Sequence, residues 1–222
     1  MTDELNPNDD DFQYNSQEKC SSRNSNCNLI WSNTHLSANV LRSIKPWQRI
    51  NHFPRSYMIT KKDTLYEGIY RAIVQYGNWF EFIPDFFCTP LSNEKREKLI
   101  DLCRDIEYDR APPFIVKPAS SSRGRDIYFL RSADDVNKLD NNAKCLISRY
   151  IDRPFLINRL KCDLRVYVLV TSFYPLIVYV YSDGLARFAV HEYDELNRRN
   201  YTDVNTHLTN YSLNKTSANF IR

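Results

Sequence analysis

Leu164, Val166, Val168 and Val170 alternate with Arg165, Tyr167, Leu169 and Thr171, a period-two pattern rich in β-branched and aromatic residues that predicts a strand. The surrounding stretch, Leu160 to Phe188, predicts three strands and two turns. One turn falls at Phe173-Tyr174-Pro175, where proline sets φ, and the other at Ser182-Asp183-Gly184, where glycine can take a positive φ. Earlier segments follow helical spacing instead. After a turn signal at Asn51-His52-Phe53-Pro54, Asp63 is the expected N-cap of a helix carrying Leu65, Ile69 and Ile73, with Tyr66 and Tyr70 alongside and Gly77 as its stop. Ser92 opens a second helix with Leu99, Leu102, Cys103 and Ile106 on one face, and Pro112-Pro113 bars its continuation. Short apolar runs at Phe82 to Phe87, Phe114 to Pro118, Ile127 to Leu130 and Cys145 to Ile151 predict strands, Asp134 to Leu139 a short helix, and Asp194 to Asn205 a polar loop.

Composition changes the picture at the N-terminus. Residues 1–38 are rich in Asn, Asp and Ser with scattered apolar residues, too few to offset ordering entropy, and are expected to form a disordered tail. The remainder is globular in composition, with 42% hydrophobic residues in 222. No apolar run reaches the roughly 18 residues of a membrane span, and no basic-then-apolar leader opens the chain, so no membrane span is expected and the compartment is expected to be cytosolic or nuclear. The six cysteines show no CxxC pair and no zinc-ligand spacing, which fits free thiols. The formal charge of +3 is unevenly divided: residues 1–40 hold six acids and two bases, leaving +7 on residues 41–222. A basic body suits an acidic partner, whether nucleic acid, membrane surface or acidic polypeptide.

Three features carry candidate chemistry, each with a plainer reading beside it. On a regular strand Lys161, Asp163 and Arg165 project from one face; that face is either solvated or turned to a polar ligand. Between two strands, Lys117 is followed by Ala119-Ser120-Ser121-Ser122-Arg123-Gly124-Arg125-Asp126, one of only four glycines in the chain. Such a loop is either a basic surface hairpin or a set of backbone N–H groups, hydroxyls and guanidinium groups for phosphate oxygens, although it lacks the GxxxxGK[ST] pattern. The hexapeptide His207 to Ser212, HLTNYS, is by itself an ordinary polar turn.

In order, NHFP, a KKD before a helix, IVKPASSSRGR, ISRYI, KCDLRVYVLVTS, GLARF and HLTNYSLNK resemble the tubulin tyrosine ligase-like family, most closely its polyglutamylases, over about residues 45–222. The resemblance implies an α+β, ATP-grasp-like fold of two lobes. It divides the chain into an N-terminal lobe at 39–112, a central nucleotide-binding lobe at 113–152 and the start of a C-terminal lobe at 153–222. It implies ATP-dependent ligation of free L-glutamate, through an acyl phosphate, to the acidic C-terminal tails of tubulin in microtubules. Lys117 would contact ATP phosphates, with Arg123 and Gly124 on the closing loop. Ser148, Arg149, Tyr150 and Ile151 would form the adenine hinge. Lys161 and Asp163, with Arg165 beside them as the catalytic row, would face the nucleotide. Thr209 and Asn210 would reach ribose and phosphates, and Arg187, Tyr211 and Ser212 the incoming glutamate. A monomer in the cytoplasm or on the cytoskeleton, including cilium or basal body, is the matching expectation.

Asp126 replaces a glycine common in relatives, and Cys162 a phenylalanine. By the same resemblance the Mg²⁺ ligands lie beyond Arg222, so the chain reads as C-terminally truncated, with no metal ligand of its own. Two readings stand at this stage: an ATP-dependent polyglutamylase, or a non-catalytic tubulin-binding protein of the same fold. A nucleic-acid module finds no recognised motif.

Overall fold

The computed structural model describes residues 27–194 and 199–220. The chain divides into two compact units, Met1–Tyr57 and Met58–Arg222. In the first, β1 (Leu29–Ile30) pairs in parallel with β2 (Arg49–Ile50), and α1 (Ala38–Ser43) lies between them in sequence. The expected tail ran to residue 38. Its residues 1–26 lie outside the described residues, but 27–38 are ordered by side chains rather than by apolar burial. Asn51 both accepts from Ser32 N and donates to Ser32 O, and Gln48 Nε2 donates to the Cys27 carbonyl at 2.7 Å. A composition argument counts apolar residues and misses such pairing. Ser37 caps α1 by accepting from Val40 N.

The second unit follows a single helical turn, α2 (Tyr57–Thr60), and starts in earnest with α3 (Lys62–Tyr76). Gly77 ends α3 with φ 75, as its sequence position predicts. Asp63 is not the cap: Lys61 occupies that position without a side-chain hydrogen bond, and Asp63 lies inside the first turn, where a carboxylate still complements the helix dipole. The helix α4 (Asn93–Glu107) is capped by Ser92, which accepts from Lys95 N. Ser132 caps α5 (Ala133–Asn137) in a reciprocal box with Asp135.

A four-stranded antiparallel sheet has the order β3 (Phe86–Cys88), β6 (Cys145–Arg149), β4 (Phe114–Pro118), β5 (Tyr128–Leu130). It therefore joins a strand from the expected N-terminal lobe to three from the expected central lobe, and no boundary falls at 112. One face carries Phe87, Phe114, Val116, Leu130, Cys145 and Ile147, packed with Leu99 and Cys103 of α4 and Val136 of α5. Register places Ile115, Lys117, Leu146, Ser148 and Phe129 on the other. There Ile115 and Tyr150 form a second cluster with Tyr193 and Leu208, and Tyr66 of α3 meets Phe86 edge-on at 5.1 Å. Being covered on both faces, β4 and β6 read as continuous apolar runs. The short helices α6 (Val204–His207) and α7 (Tyr211–Asn214) lie on that second side.

The third sheet, β7 (Leu156–Ile157), β8 (Leu160–Phe173) and β9 (Leu176–Glu192), is antiparallel. Only one of the two expected turns exists. The chain reverses at Tyr174-Pro175, but Ser182-Asp183-Gly184 lies within β9, which continues to Glu192. Val166 pairs with Gly184 and Val168 with Val180, so three residues of β9 bulge opposite Tyr167. The turn-forming residues bend a strand that still has a partner to pair with. Gly184 is required for a different reason from a positive φ: a Cβ there would lie 2.5 Å from the Arg165 carbonyl oxygen. Gly184→Ala should force β8 and β9 apart and cost about 1–3 kcal/mol, read as a lower denaturant midpoint; an unchanged midpoint would refute the close approach.

The sixteen residues from Val166 to Tyr181 carry no charge, and side chains on both faces of this hairpin, including Val168, Leu169, Val178 and Tyr179, are exposed. Among the described residues no helix is long and apolar enough to cross a membrane.

Candidate functional site

The site forms where the second face of the four-stranded sheet meets the base of the β8–β9 hairpin. Lys117 stands near the end of β4. Burial pulls its ammonium below the ordinary lysine range, and the charge of Lys62 adds to the effect. Lys161, opposite the β9 bulge between Phe188 and Glu192, is pulled down to about 8. Burial is the main cause, Lys117 contributes, and Asp163 opposes it. Lys62 is likewise lowered by burial, against the opposing charge of Asp63. Three lysines with weakened protonation in one place, with Asp163 the acidic side chain that raises Lys161, make a pocket of positive potential suited to a polyanion.

The loop after Lys117 is pinned from below. Lys62 Nζ donates to the Pro118 carbonyl at 2.6 Å and to the Ser121 carbonyl at 2.7 Å. Arg123, Gly124 and Asp126 all take positive φ, at 63, 79 and 58, a run of left-handed residues that turns the backbone sharply. Asp126 adopts a left-handed conformation, as aspartate tolerates. At Gly124 a Cβ would meet Leu213 Cδ1 at 2.5 Å and Asn210 Oδ1 at 3.1 Å. The missing side chain lets the loop close against α7 and its N-cap Asn210, and Ser212 Oγ donates to the Arg123 carbonyl. Sequence reasoning missed the role of Lys62; the KKD triplet was legible, but its 56-residue reach to Pro118 was not.

Lys161 and Asp163 share a face, as alternation predicts, and both meet the HLTN segment. Lys161 Nζ donates to Tyr150 Oη and to the His207 carbonyl, each at 2.9 Å. Asp163 accepts from Arg187 Nε at 2.7 Å and from Arg187 NH2 at 2.6 Å, and from Thr209 Oγ1 at 2.8 Å. Burial raises the Asp163 carboxyl, but these hydrogen bonds and the charges of Arg187 and Arg165 outweigh it and leave it below the usual range. Arg165 itself is exposed and acts on Asp163 only through its charge.

Other expected groups are placed differently. Arg149 NH1 donates to the Pro112 carbonyl and its guanidinium lies 4.0 Å over the Phe114 ring, on the helix-covered face away from Lys117, because its register position opposes that of Ser148. The backbone N–H groups of Arg149 and Tyr150 are already given to Asp85 and Pro113 carbonyls. Ser148 is buried and Ile151 exposed. Two of the three glutamate candidates are engaged: Arg187 with Asp163, and Ser212 with Arg123, while Tyr211 is exposed beside Phe220. Arg187 thus keeps its NH1 edge for a ligand. Thr209 reaches Asp163, and Asn210 heads α7 beside Gly124.

The donors present fit a triphosphate: two desolvated ammonium groups and a loop whose backbone is turned by left-handed residues. They do not fit a metal by themselves. Among the described residues no three His, Cys, Asp or Glu side chains group to hold one, and Asp163, the acid that acts on Lys161, is committed to Arg187 and Thr209.

A pH dependence follows from Lys161. Its folded value of about 8 lies below the ordinary 10.5, so between these the unfolded chain holds the extra proton. Stability therefore rises from about pH 8 to about pH 10.5, and the penalty of the buried charge is fully present below 8. A bound polyanion would pull the value back up, so ATP binding at pH 8 should take up about half a proton, by the same linkage. Calorimetry in buffers of different ionisation enthalpy measures this; equal heats in all buffers would refute it.

Residues 41–221 match the family model described as the tubulin-tyrosine ligase family. Among curated proteins, the chain is 44% identical over 210 residues to "Tubulin polyglutamylase ttll-5" of Caenorhabditis elegans, covering 92% of this chain and 28% of that protein. It is 42% identical over 195 residues to "Tubulin polyglutamylase TTLL5" of Homo sapiens, covering 87% and 14% respectively. It is 36% identical over 194 residues to "Probable beta-tubulin polyglutamylase" of Tetrahymena thermophila, covering 86% and 16%. The chain therefore spans between about a seventh and about a quarter of the length of these relatives.

Proposed function

The chain belongs to the tubulin-tyrosine ligase family, and from that premise we propose that it is the nucleotide-binding part of an ATP-dependent tubulin polyglutamylase, which joins L-glutamate to glutamate side chains in the C-terminal tails of tubulin. The observation that carries this reading is the approach of Lys161 to Lys117, near enough for their charges to interact, beside a loop that Gly124 allows to close against Asn210. The names of the relatives support an enzyme over a protein that only binds microtubules. The two-lobed ATP-grasp arrangement belongs to the same proposal, as does association with the cytoskeleton.

Bound there, ATP would supply the phosphoryl group that activates a carboxylate as an acyl phosphate. The residues of this chain bind and align. Lys117 and Lys161 offset phosphate charge, the Ser120 to Arg125 backbone encloses it, and Asp163 holds Arg187 in one orientation, with NH1 free to meet a glutamate carboxylate. Positioning and charge neutralisation are what phosphoryl transfer asks of a protein, more than a nucleophile. Mg²⁺ would accompany ATP and offset phosphate charge; among the described residues no three His, Cys, Asp or Glu side chains group to hold it.

The test pairs calorimetric ATP binding with transfer of radiolabelled L-glutamate to microtubules in the presence of ATP and Mg²⁺. ATP-dependent label in tubulin supports the reading. A chain that binds a tubulin tail peptide but neither binds ATP nor transfers label would be a binding protein instead.

A further inference from the structure

Lys161 is held by Tyr150, which the family resemblance sets in the adenine hinge, and by His207, which it gives no role. Its ammonium has three N–H donors and no acceptor. One goes to Tyr150 Oη and one to the His207 main-chain carbonyl. Tyr150 Oη is also 2.9 Å from His207 Nδ1, and His207 Nε2 is 3.1 Å from the Asn200 carbonyl. That carbonyl can only accept, so Nε2 carries the proton of a neutral His207 and Nδ1 is bare. The Tyr150 hydroxyl can then donate to Nδ1, with the Tyr193 hydroxyl as a second acceptor for the same hydrogen, and can accept from Lys161. The chain of bonds runs one way, from Lys161 to Tyr150 to His207 to Asn200.

Its surroundings keep it in place. His207 and Tyr150 are buried. The Tyr150 ring lies 5.1 Å from Phe129 in an edge contact, and the His207 ring stacks on Tyr201 at 5.2 Å. Burial, together with the Tyr193 hydroxyl, raises the Tyr150 phenol far above its ordinary value, so it remains a hydroxyl. The charged groups near Lys161 are Lys117 and Asp163.

We propose that Tyr150 and His207 are positioning residues for Lys161, which fix its ammonium on this one-way chain and leave its third N–H for an anionic ligand such as a nucleotide phosphate. This rests on the nucleotide reading for the identity of the ligand, but not for the hold on Lys161.

Tyr150→Phe removes the hydroxyl and keeps the ring, and Lys161 can be followed by NMR in chain labelled with ¹³C at lysine Cε, its signal assigned by Lys161→Arg. The cation loses an acceptor in a dry site, so its pKa should fall below the wild-type value of about 8. ATP affinity at pH 7 should fall about tenfold, equivalent to about 1.4 kcal/mol. His207→Asn, which keeps an acceptor near the position of Nδ1, should stay close to wild type, while His207→Leu should resemble Tyr150→Phe. A purely structural Tyr150 would leave the pKa where it is, or let water raise it toward 10.5, and either result in a chain that binds ATP overturns the positioning role alone. Equal behaviour of the Asn and Leu variants overturns the part of the His207 side chain in holding Tyr150. A fallen pKa in a protein whose wild type binds no ATP overturns the choice of ligand, and the nucleotide reading with it.

Discussion

Lys117→Ala should abolish detectable ATP binding while leaving the fold at least as stable as the wild type. The two halves of this expectation have one cause. The ammonium of Lys117 is desolvated and repelled by Lys62, so its charged form is disfavoured in the folded chain. Removing it relieves that penalty, which offsets the packing lost with its buried methylenes. Under the nucleotide reading, a triphosphate is what this charge is kept for. With it gone, Lys161 and Lys62 remain, and Lys62 is already committed to the Pro118 and Ser121 carbonyls. A loss of about 100-fold or more in affinity corresponds to one strong charge-assisted contact in a partly dry site, about 3 kcal/mol. Calorimetry with ATP and a denaturant titration of the same preparation test both halves. Wild-type affinity would remove Lys117 from the phosphate site; a strongly lowered denaturant midpoint would mean that its role is structural. The contrast is typical of functional positions, where charge needed for a ligand is retained at the expense of stability.

The second large effect is expected from Asp163→Asn, and here stability and function should fall together. Asp163 accepts from both Arg187 donors and from Thr209. An amide can supply one acceptor oxygen, and its NH₂ would face a donor. The side chains of Arg187 and Asp163 are 29% and 39% exposed, so solvent screening reduces the cost to about 1–2 kcal/mol. That corresponds to a drop of about 3–6 °C in Tm. Because the Asp163 carboxyl sits below its ordinary value of 3.8, its stabilisation is complete above that value and is lost as pH falls through the lower, folded-state value. The variant should therefore lose the matching part of the acid titration of stability. Under the polyglutamylase reading, Arg187 would no longer be held with NH1 outward, and the KM for L-glutamate should rise at least tenfold. An unchanged Tm together with an unchanged KM would remove the Asp163–Arg187 pair from both roles.

Local signals determined the parts of this protein that depend on local physics. Ser92 and Gly77 end helices where their capping chemistry says they should, apolar runs become β4 and β6, and strand alternation puts Lys161 and Asp163 on one face. Ordered motifs were enough to indicate the family, because each motif reports a local backbone or side-chain need. The tertiary structure decided what depended on distant partners. Ser182-Asp183-Gly184 has every property of a turn, but β8 offers Arg165 and Val166 as pairing partners, and the segment becomes a bulge. Residues 27–38 look too polar to order until Asn51 and Gln48 satisfy their backbone. Lys62 cannot be read as a support for the phosphate loop from its own neighbourhood, since Pro118 lies 56 residues away. Nor can Tyr150 be seen to hold Lys161, or Arg187 to be half-occupied by Asp163. A side chain's hydrogen-bond partners are set by which elements the fold brings within about 3 Å, and periodicity along a chain carries no record of that distance.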